Sequence, residues 1–188
     1  KNYYPGVYEH LLIIPPYREA KTNLRWELYK FNEGNIYIGQ LSSDNAFCGR
    51  CCFIYKDSPI TYYVGYIKNQ EFNGEGAYYD KDWNIVYQGK FERNKRTGFG
   101  IAVQNDKSVY YGEFSNDLPN GEGVYYFPNG SRFEGHFING EKNDKGYLIN
   151  ENNTTKQEII YKNGNVIEQG DIEECNKASY QKKVHKLK

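Results

Sequence analysis

Aromatic and β-branched residues alternate with polar ones along most of this chain. Tyr87, Gly89 and Phe91 would share one face of a strand, with Gln88, Lys90 and Glu92 on the other. Tyr110, Gly112 and Phe114 repeat the arrangement, as do Phe133, Gly135 and Phe137. No helical period interrupts the pattern from residue 25 to 146, so it predicts antiparallel strands joined by short turns. Turns are expected near Gly34, Lys81 to Asn84, Asn105-Asp106 and Asn129-Gly130. Asn129-Gly130 stands between the strand formers Val124 to Phe127 and Arg132-Phe133. It reads as a type I′ hairpin turn, which needs positive φ at both central residues.

Glycine inside a strand has no side chain to pack and costs backbone entropy, yet these strands contain it at fixed places. Aromatic-x-Gly cores occur at Tyr37-Ile38-Gly39, Tyr63-Val64-Gly65, Tyr87-Gln88-Gly89, Tyr110-Tyr111-Gly112 and Phe133-Glu134-Gly135. Their glycines step by 26, 24, 23 and 23 residues. Nine residues after three of them comes a Gly-x-Gly: Gly74-Glu75-Gly76, Gly98-Phe99-Gly100 and Gly121-Glu122-Gly123. The pattern decays at the ends. Gly49-Arg50-Cys51 arrives one residue late, and Asp144-Lys145-Gly146 keeps only the second glycine. Trp26 to Phe31 reads as the lone second strand of a partial repeat, and Ile159 to Ile167 as a strand-turn-strand without the glycines. Degenerate terminal units are expected of a stacked array. Each strand glycine is expected to leave room for a ring to lie flat or for the sheet to bend.

These motifs resemble the MORN (membrane occupation and recognition nexus) repeat, a unit of about 23 residues of the form Y-x-G-x-x-x-x-G-x-x-x-G-x-G. The resemblance covers roughly residues 25 to 146, extending toward 167, and is most specific in the three middle repeats. It implies an all-β fold: an elongated, curved and twisted single antiparallel sheet of stacked hairpins. The chain then divides into an N-terminal cap or linker (1–24), an array of about five repeats with degenerate ends (25–167) and a charged C-terminal segment (168–188). In that last segment Tyr180, Val184 and Leu187 are spaced for one face of a short helix.

Composition refines this picture. The apolar fraction is only 38%, and 20 Tyr and 10 Phe supply much of it, so the core must be built from rings. Formal net charge is zero, which argues against nucleic acid as a partner. The chain has no Met and reads as an internal piece of a longer protein. Its longest apolar run, Leu11 to Ile14, is too short to span a membrane, and no secretory leader is read. Abundant Asn and Lys suit an AT-rich genome such as some protists have. Cys48 and Cys51 form one C-x-x-C, but the partners for a zinc site are missing, so the four cysteines read as reduced structural thiols.

No nucleophile elbow, phosphate loop or metalloprotease helix is present, and Asp80 to Asn84 only imitates a calcium loop. The expectation is a non-catalytic chain with no cofactor and no metal site. Two readings of its function follow. The resemblance implies a scaffold that binds an extended or helical protein segment in a cytoskeletal, ciliary or membrane-associated assembly, in the cytoplasm or on a membrane's cytoplasmic face. The candidate groove is aromatic: Tyr63, Tyr87, Phe91, Tyr110, Phe114, Phe133 and Phe137, with the second-strand residues Tyr79 and Tyr126. These rings are expected to exceed what a one-layer sheet can bury by itself. The alternative is a module binding acidic phospholipid through Arg93, Lys95 and Arg96 and the tail residues Lys182, Lys183 and Lys186. The family also includes repeats fused to lipid kinases and to a lysine methyltransferase, so a regulatory region of a larger enzyme is a further alternative.

Overall fold

The computed structural model describes residues 24–175, and every regular element among them is a β-strand. It divides into two compact units, Lys1–Ala102 and Val103–Lys188. The first holds β1 (Arg25–Lys30), β2 (Ile36–Leu41), β3 (Phe47–Ile54), β4 (Tyr62–Lys68), β5 (Glu71–Tyr79), β6 (Ile85–Glu92) and β7 (Lys95–Val103), which ends on the boundary. The second holds β8 (Val109–Ser115), β9 (Leu118–Tyr126), β10 (Arg132–Ile138), β11 (Glu141–Ile149), β12 (Thr155–Lys162) and β13 (Asn165–Glu174). Within each unit strand order is chain order and every pairing is antiparallel. The all-β hairpin architecture is the one the periodicity predicts. β13 continues past residue 167, because Ile172 pairs with Gln157 and Glu174 with Thr155. Residues 168–174 are therefore strand. The helix expected around Tyr180, Val184 and Leu187 lies outside the described residues, as does the segment 1–23.

Two kinds of turn alternate. Asn69-Gln70, Arg93-Asn94, Asn116-Asp117, Asn139-Gly140 and Asn163-Gly164 each have positive φ at both positions and are type I′ turns inside hairpins. The loops between hairpins are longer. In Asp80–Asn84, Gln104–Ser108 and Phe127–Ser131 the first residue's N–H donates to the carbonyl of the last, and its carbonyl accepts from the N–H of one left-handed residue (Trp83, Lys107, Gly130). Asn129-Gly130 thus differs from its sequence reading. Gly130 alone is left-handed, and the Asn129 side chain accepts hydrogen bonds from the Ser131 N–H and hydroxyl. The calcium-loop imitation closes in the same manner, with the Asp80 carboxylate accepting the N–H groups of Asp82 and Asn84 at 2.9 Å.

One face of each unit explains the glycines. Gly89 lies opposite Gly100 in β7 and Gly76 in β5. A Cβ on Gly89 would stand 2.5 Å from the Tyr87 Oη, and one on Gly100 would meet the same ring at 2.7–2.9 Å. The Tyr87 ring lies over this glycine pair, so the room left by glycine is taken by the tyrosine two residues upstream. Its hydroxyl donates to the Lys90 carbonyl at 3.1 Å. Tyr37 donates likewise to Gln40 (2.7 Å), Tyr63 to Tyr66 (2.8 Å) and Tyr110 to Glu113 (3.0 Å). At that point the hairpin ladder is interrupted. Gly89 pairs with Gly100 and Lys90 with Thr97, leaving Gly98-Phe99 as a bulge. Gly98 and Gly121 adopt the left-handed backbone that these bulges require, with φ of +60° and +115°. The aromatic-x-Gly and Gly-x-Gly motifs are therefore two halves of one device: ring, floor and bulge.

The rings also close over one another. Phe91 contacts Tyr87 and reaches back to Tyr63, both at 5.2 Å between centroids. In the second unit Phe137 contacts Phe133 at 5.8 Å and reaches back to Tyr110 at 4.9 Å. Edge-to-face pairs of this kind add about 0.5–1.5 kcal/mol each beyond area burial. In each unit one hairpin is thus glued to the one before it by its second aromatic, Phe91 in the first and Phe137 in the second.

Candidate partner-binding face

The ring ribbon proposed from the sequence as a groove is sealed. Tyr63, Tyr87, Phe91, Tyr110, Phe114, Phe133 and Phe137 are all buried. The expectation that a one-layer sheet could not bury them is corrected, because the Tyr63, Tyr87, Tyr110 and Phe133 rings lie along their own strands over glycines, and Phe91, Phe114 and Phe137 pack edge-to-face against them. A further residue lies over three of the flat rings, at the position paired with the second apolar residue of the repeat. Phe72 stacks on Tyr63 at 3.6 Å, Arg96 sits 5.4 Å over Tyr87, and Lys142 sits 5.2 Å over Phe133. Lys142 Nζ is also within 5.4 Å of the Tyr125, Phe127 and Tyr161 rings, and burial lowers its pKa.

Arg96, a residue of the lipid alternative, is therefore engaged with Tyr87. Arg93 and Lys95 are exposed beside the type I′ turn of β6 and β7. Lys182, Lys183 and Lys186 lie outside the described residues. Among the described residues no group of three or more His, Cys, Asp and Glu side chains is placed to hold a metal ion. Cys51 takes the place that glycine holds in later repeats, between Gly39 and Gly65, and Cys52 faces the opposite side. Burial raises the Cys51 pKa and pushes the Cys52 thiol up to about 12, which keeps both protonated and unreactive.

The opposite face differs between units. In the first, Ile38, Cys52, Val64, Ala77 and Tyr79 form a buried cluster bordered by Ile36, Ile54, Tyr62 and Trp83. Tyr79, also named as a groove residue, is buried here. In the second unit Tyr126 is 43% exposed and Tyr111 is 39% exposed. Half-buried Val124 lies between them, paired across the hairpin with Tyr111. Glu113 and Glu122 border this patch, and Tyr126 pairs with Arg132, which is itself bound to Glu134 at 2.8 Å. Of the nine predicted groove residues, then, Tyr126 alone is exposed. Tyr111 and Val124 were missed, although strand alternation puts both on the face opposite Tyr110 and Tyr125.

Comparison with curated proteins returned no match. Among solved structures, KlHsv2 with loop 6CD replaced by a Gly-Ser linker aligns over 78% of this chain and 66% of its own, at 9% identity and a TM-score of 0.20. The sequence profile of the MORN repeat matches residues 87–109 and 110–132, two adjacent units that each begin at a ring-and-floor tyrosine. The same ring-over-glycine construction stands on either side, at Tyr63 and at Phe133, so residues 87–132 are two MORN repeats within a longer run of like units.

Proposed function

We propose that this chain is a non-catalytic scaffold and that it binds a protein segment on the face opposite its ring ribbon, at Tyr111, Val124 and Tyr126. The observation that supports this reading is the exposure of two tyrosines on one face of two paired strands, whose other tyrosines, Tyr110 and Tyr125, are buried and half-buried on the opposite face. Exposed aromatics with a polar tip are frequent anchors of protein interfaces. The bordering carboxylates Glu113 and Glu122 suit a segment that carries basic as well as apolar residues, and they repel anionic headgroups. The scaffold would serve a cytoskeletal, ciliary or membrane-associated assembly in the cytoplasm.

The test is capture of the natural partner by the wild type and by Tyr111→Ala/Tyr126→Ala. Loss of the partner with an unshifted melting temperature supports the reading. A partner retained by that variant but lost on neutralising Lys182, Lys183 and Lys186, together with binding to acidic vesicles that falls with salt, overturns it in favour of lipid.

A further inference from the structure

Four aromatic rings of the second unit surround one cation. Tyr125 pairs with Phe133 across β9 and β10, Phe127 follows β9, and Tyr161 lies on β12, opposite Asp144 of β11. The rings stand in two edge-to-face pairs, Tyr125 with Phe127 at 5.0 Å and Phe133 with Tyr161 at 5.1 Å between centroids. Tyr125 is held in place by its hydroxyl, which donates at 2.7 Å to buried Ser108, itself bonded to Asp106. Lys142 of β11 places its Nζ 4.6 Å from the centre of Phe127, 5.2 Å from Tyr125 and Phe133, and 5.4 Å from Tyr161. The face of a ring attracts positive charge and offers no lone pair to an N–H. The Lys142 ammonium has three N–H donors, and burial lowers its pKa, where a facing carboxylate would raise it. Lys145 and Lys156 of the same unit show the contrast, since hydrogen bonds to Glu158 and Glu173 raise theirs. The surroundings of Lys142 thus suit the charge of an ammonium better than its donors.

We infer that these rings are a cage for a methylated ammonium, carried on a trimethylated lysine of a partner protein, and that Lys142 fills the cage until that group displaces it. A trimethylammonium keeps the positive charge and has no N–H to leave unpaired, so four ring faces serve it better than they serve Lys142. The exchange returns a strongly hydrated ammonium to water, and its flexible four-carbon stem lets it swing there while β11 stays in place. Phe133 is buried, and Tyr125, Phe127 and Tyr161 are half-buried, so the cage is recessed and partly open. Lys142 shows that the space between the rings admits the head of a lysine side chain. A choline headgroup offers the same ammonium, but its phosphate lies two carbons away and would be drawn against the rings, where it loses water without gaining a partner. The lysine stem carries only methylenes there. The inference does not rest on the partner site proposed above, because the cage belongs to the ring face and Tyr111, Val124 and Tyr126 to the other.

The probes are a dye-labelled glycine-rich peptide carrying one trimethyl-lysine, its unmethylated twin, and phosphatidylcholine vesicles. The full chain is titrated into each peptide by fluorescence anisotropy and co-sedimented with the vesicles. The methylated peptide is expected to bind about tenfold more tightly than its twin. Phe127→Leu keeps the apolar volume and removes a ring, and should weaken that binding about tenfold, while Tyr111→Ala/Tyr126→Ala leaves it unchanged. Lys142→Ala empties the cage and should strengthen it about tenfold, a gain that a misfolded chain cannot give. Equal binding of the two peptides overturns the inference, as does a preference for methylation that survives Phe127→Leu. Binding no tighter in Lys142→Ala than in the wild type overturns it too, and so does a preference seen in Lys142→Ala alone, which would make Lys142 a permanent plug. Vesicle binding that Phe127→Leu abolishes, with no preference between the peptides, overturns it in favour of the choline headgroup.

Discussion

The two units share one face and differ in the other. Tyr63 and Tyr87 in the first, and Tyr110 in the second, lie over glycine pairs and donate to the carbonyl three residues on. Behind them the first unit presents Ile38, Cys52, Val64 and Ala77, and the second presents Tyr111, Val124 and Tyr126 with the ion pairs Arg132–Glu134 and Lys145–Glu158. The repeat motif specifies only alternate residues, those that build the ribbon and its floor. Residues between them are free to vary from hairpin to hairpin without loss of the fold. Individuality therefore belongs to the second face.

A matched pair of substitutions breaks the comparison most severely. Val64→Asp places an unpaired carboxylate in the buried cluster and is expected to cost about 3 kcal/mol or more. Val124→Asp, at the equivalent face of the second unit, is expected to cost about 1 kcal/mol, from lost strand propensity and the neighbouring carboxylates. Urea unfolding of both measures the contrast, and equal costs would show that the two faces are equally covered. On the shared face the units should respond alike. A Cβ on Gly112 would stand 2.5 Å from the Tyr110 Oη and 2.6 Å from the Glu122 carbonyl oxygen and the Gly123 Cα, two of which are backbone and cannot turn aside. Gly112→Val is expected to cost about 3 kcal/mol, and Gly89→Val, against Gly100 Cα and the Phe99 carbonyl at 2.8 Å, about the same. A melting temperature unchanged in either would remove the ring-and-floor account for that unit.

Much of this was legible in the sequence, because the shared face carries the residues with the least substitutable chemistry. Spacing of aromatic-x-Gly located β2, β4, β6, β8 and β10, and Gly-x-Gly located the bulges of β5, β7 and β9. Two things were hidden. Whether a ring stands up or lies down is a rotamer, and alternation assigns a face without assigning a posture; hence Tyr63 to Phe137 read as a groove and proved to be a core. The type I′ turns at Asn69-Gln70 and Arg93-Asn94 lack glycine, and their geometry is imposed by the ladders on either side. The Arg93-Asn94 turn is further tied down by Asn94, whose side chain accepts the Phe72 N–H at 2.7 Å.

Lys142 sharpens the comparison on a smaller scale. Its position is held by Phe72 and Arg96 in the first unit and by Pro119 in the preceding hairpin of its own. What Phe72, Arg96 and Lys142 have in common is cover for a ring, not charge. Lys142→Ala is expected to cost about 1–2 kcal/mol through loss of the aliphatic stem, and Lys142→Met about 0.5 kcal/mol or less. Burial lowers the Lys142 pKa, so as pH climbs toward the unfolded value of 10.5 the unfolded chain holds more of this proton than the folded one. Wild-type stability relative to Lys142→Met should therefore rise with pH in that window and be flat at neutral pH. Denaturation at a series of pH values checks the sign.

The smallest expected effect is a gain. Phe133 takes the ribbon position that tyrosine holds in the four earlier repeats, and its ring occupies the same place. A Cβ on Gly135 would stand 2.6 Å from Phe133 Cζ, as one on Gly112 would stand close to the Tyr110 hydroxyl. The bulge is also the same, with Gly135 paired to Gly146, His136 to Asn143, and Asp144-Lys145 left over. Four tyrosines fill the corresponding carbonyl with a hydroxyl proton, and Phe133 has none to give. Phe133→Tyr is expected to donate to the His136 carbonyl and to stabilise the chain by about 1 kcal/mol. Tyr110→Phe should lose about as much. Thermal melts of the two variants and of the double variant should then show shifts of opposite sign that nearly cancel, unless Phe137, in contact with both Tyr110 and Phe133, couples them. A loss on Phe133→Tyr would mean that the fifth bulge keeps the backbone path of the others but closes its carbonyl to a hydroxyl. The second unit's ribbon would then differ from the first's, and the division between a fixed face and a variable one would fail at its last repeat.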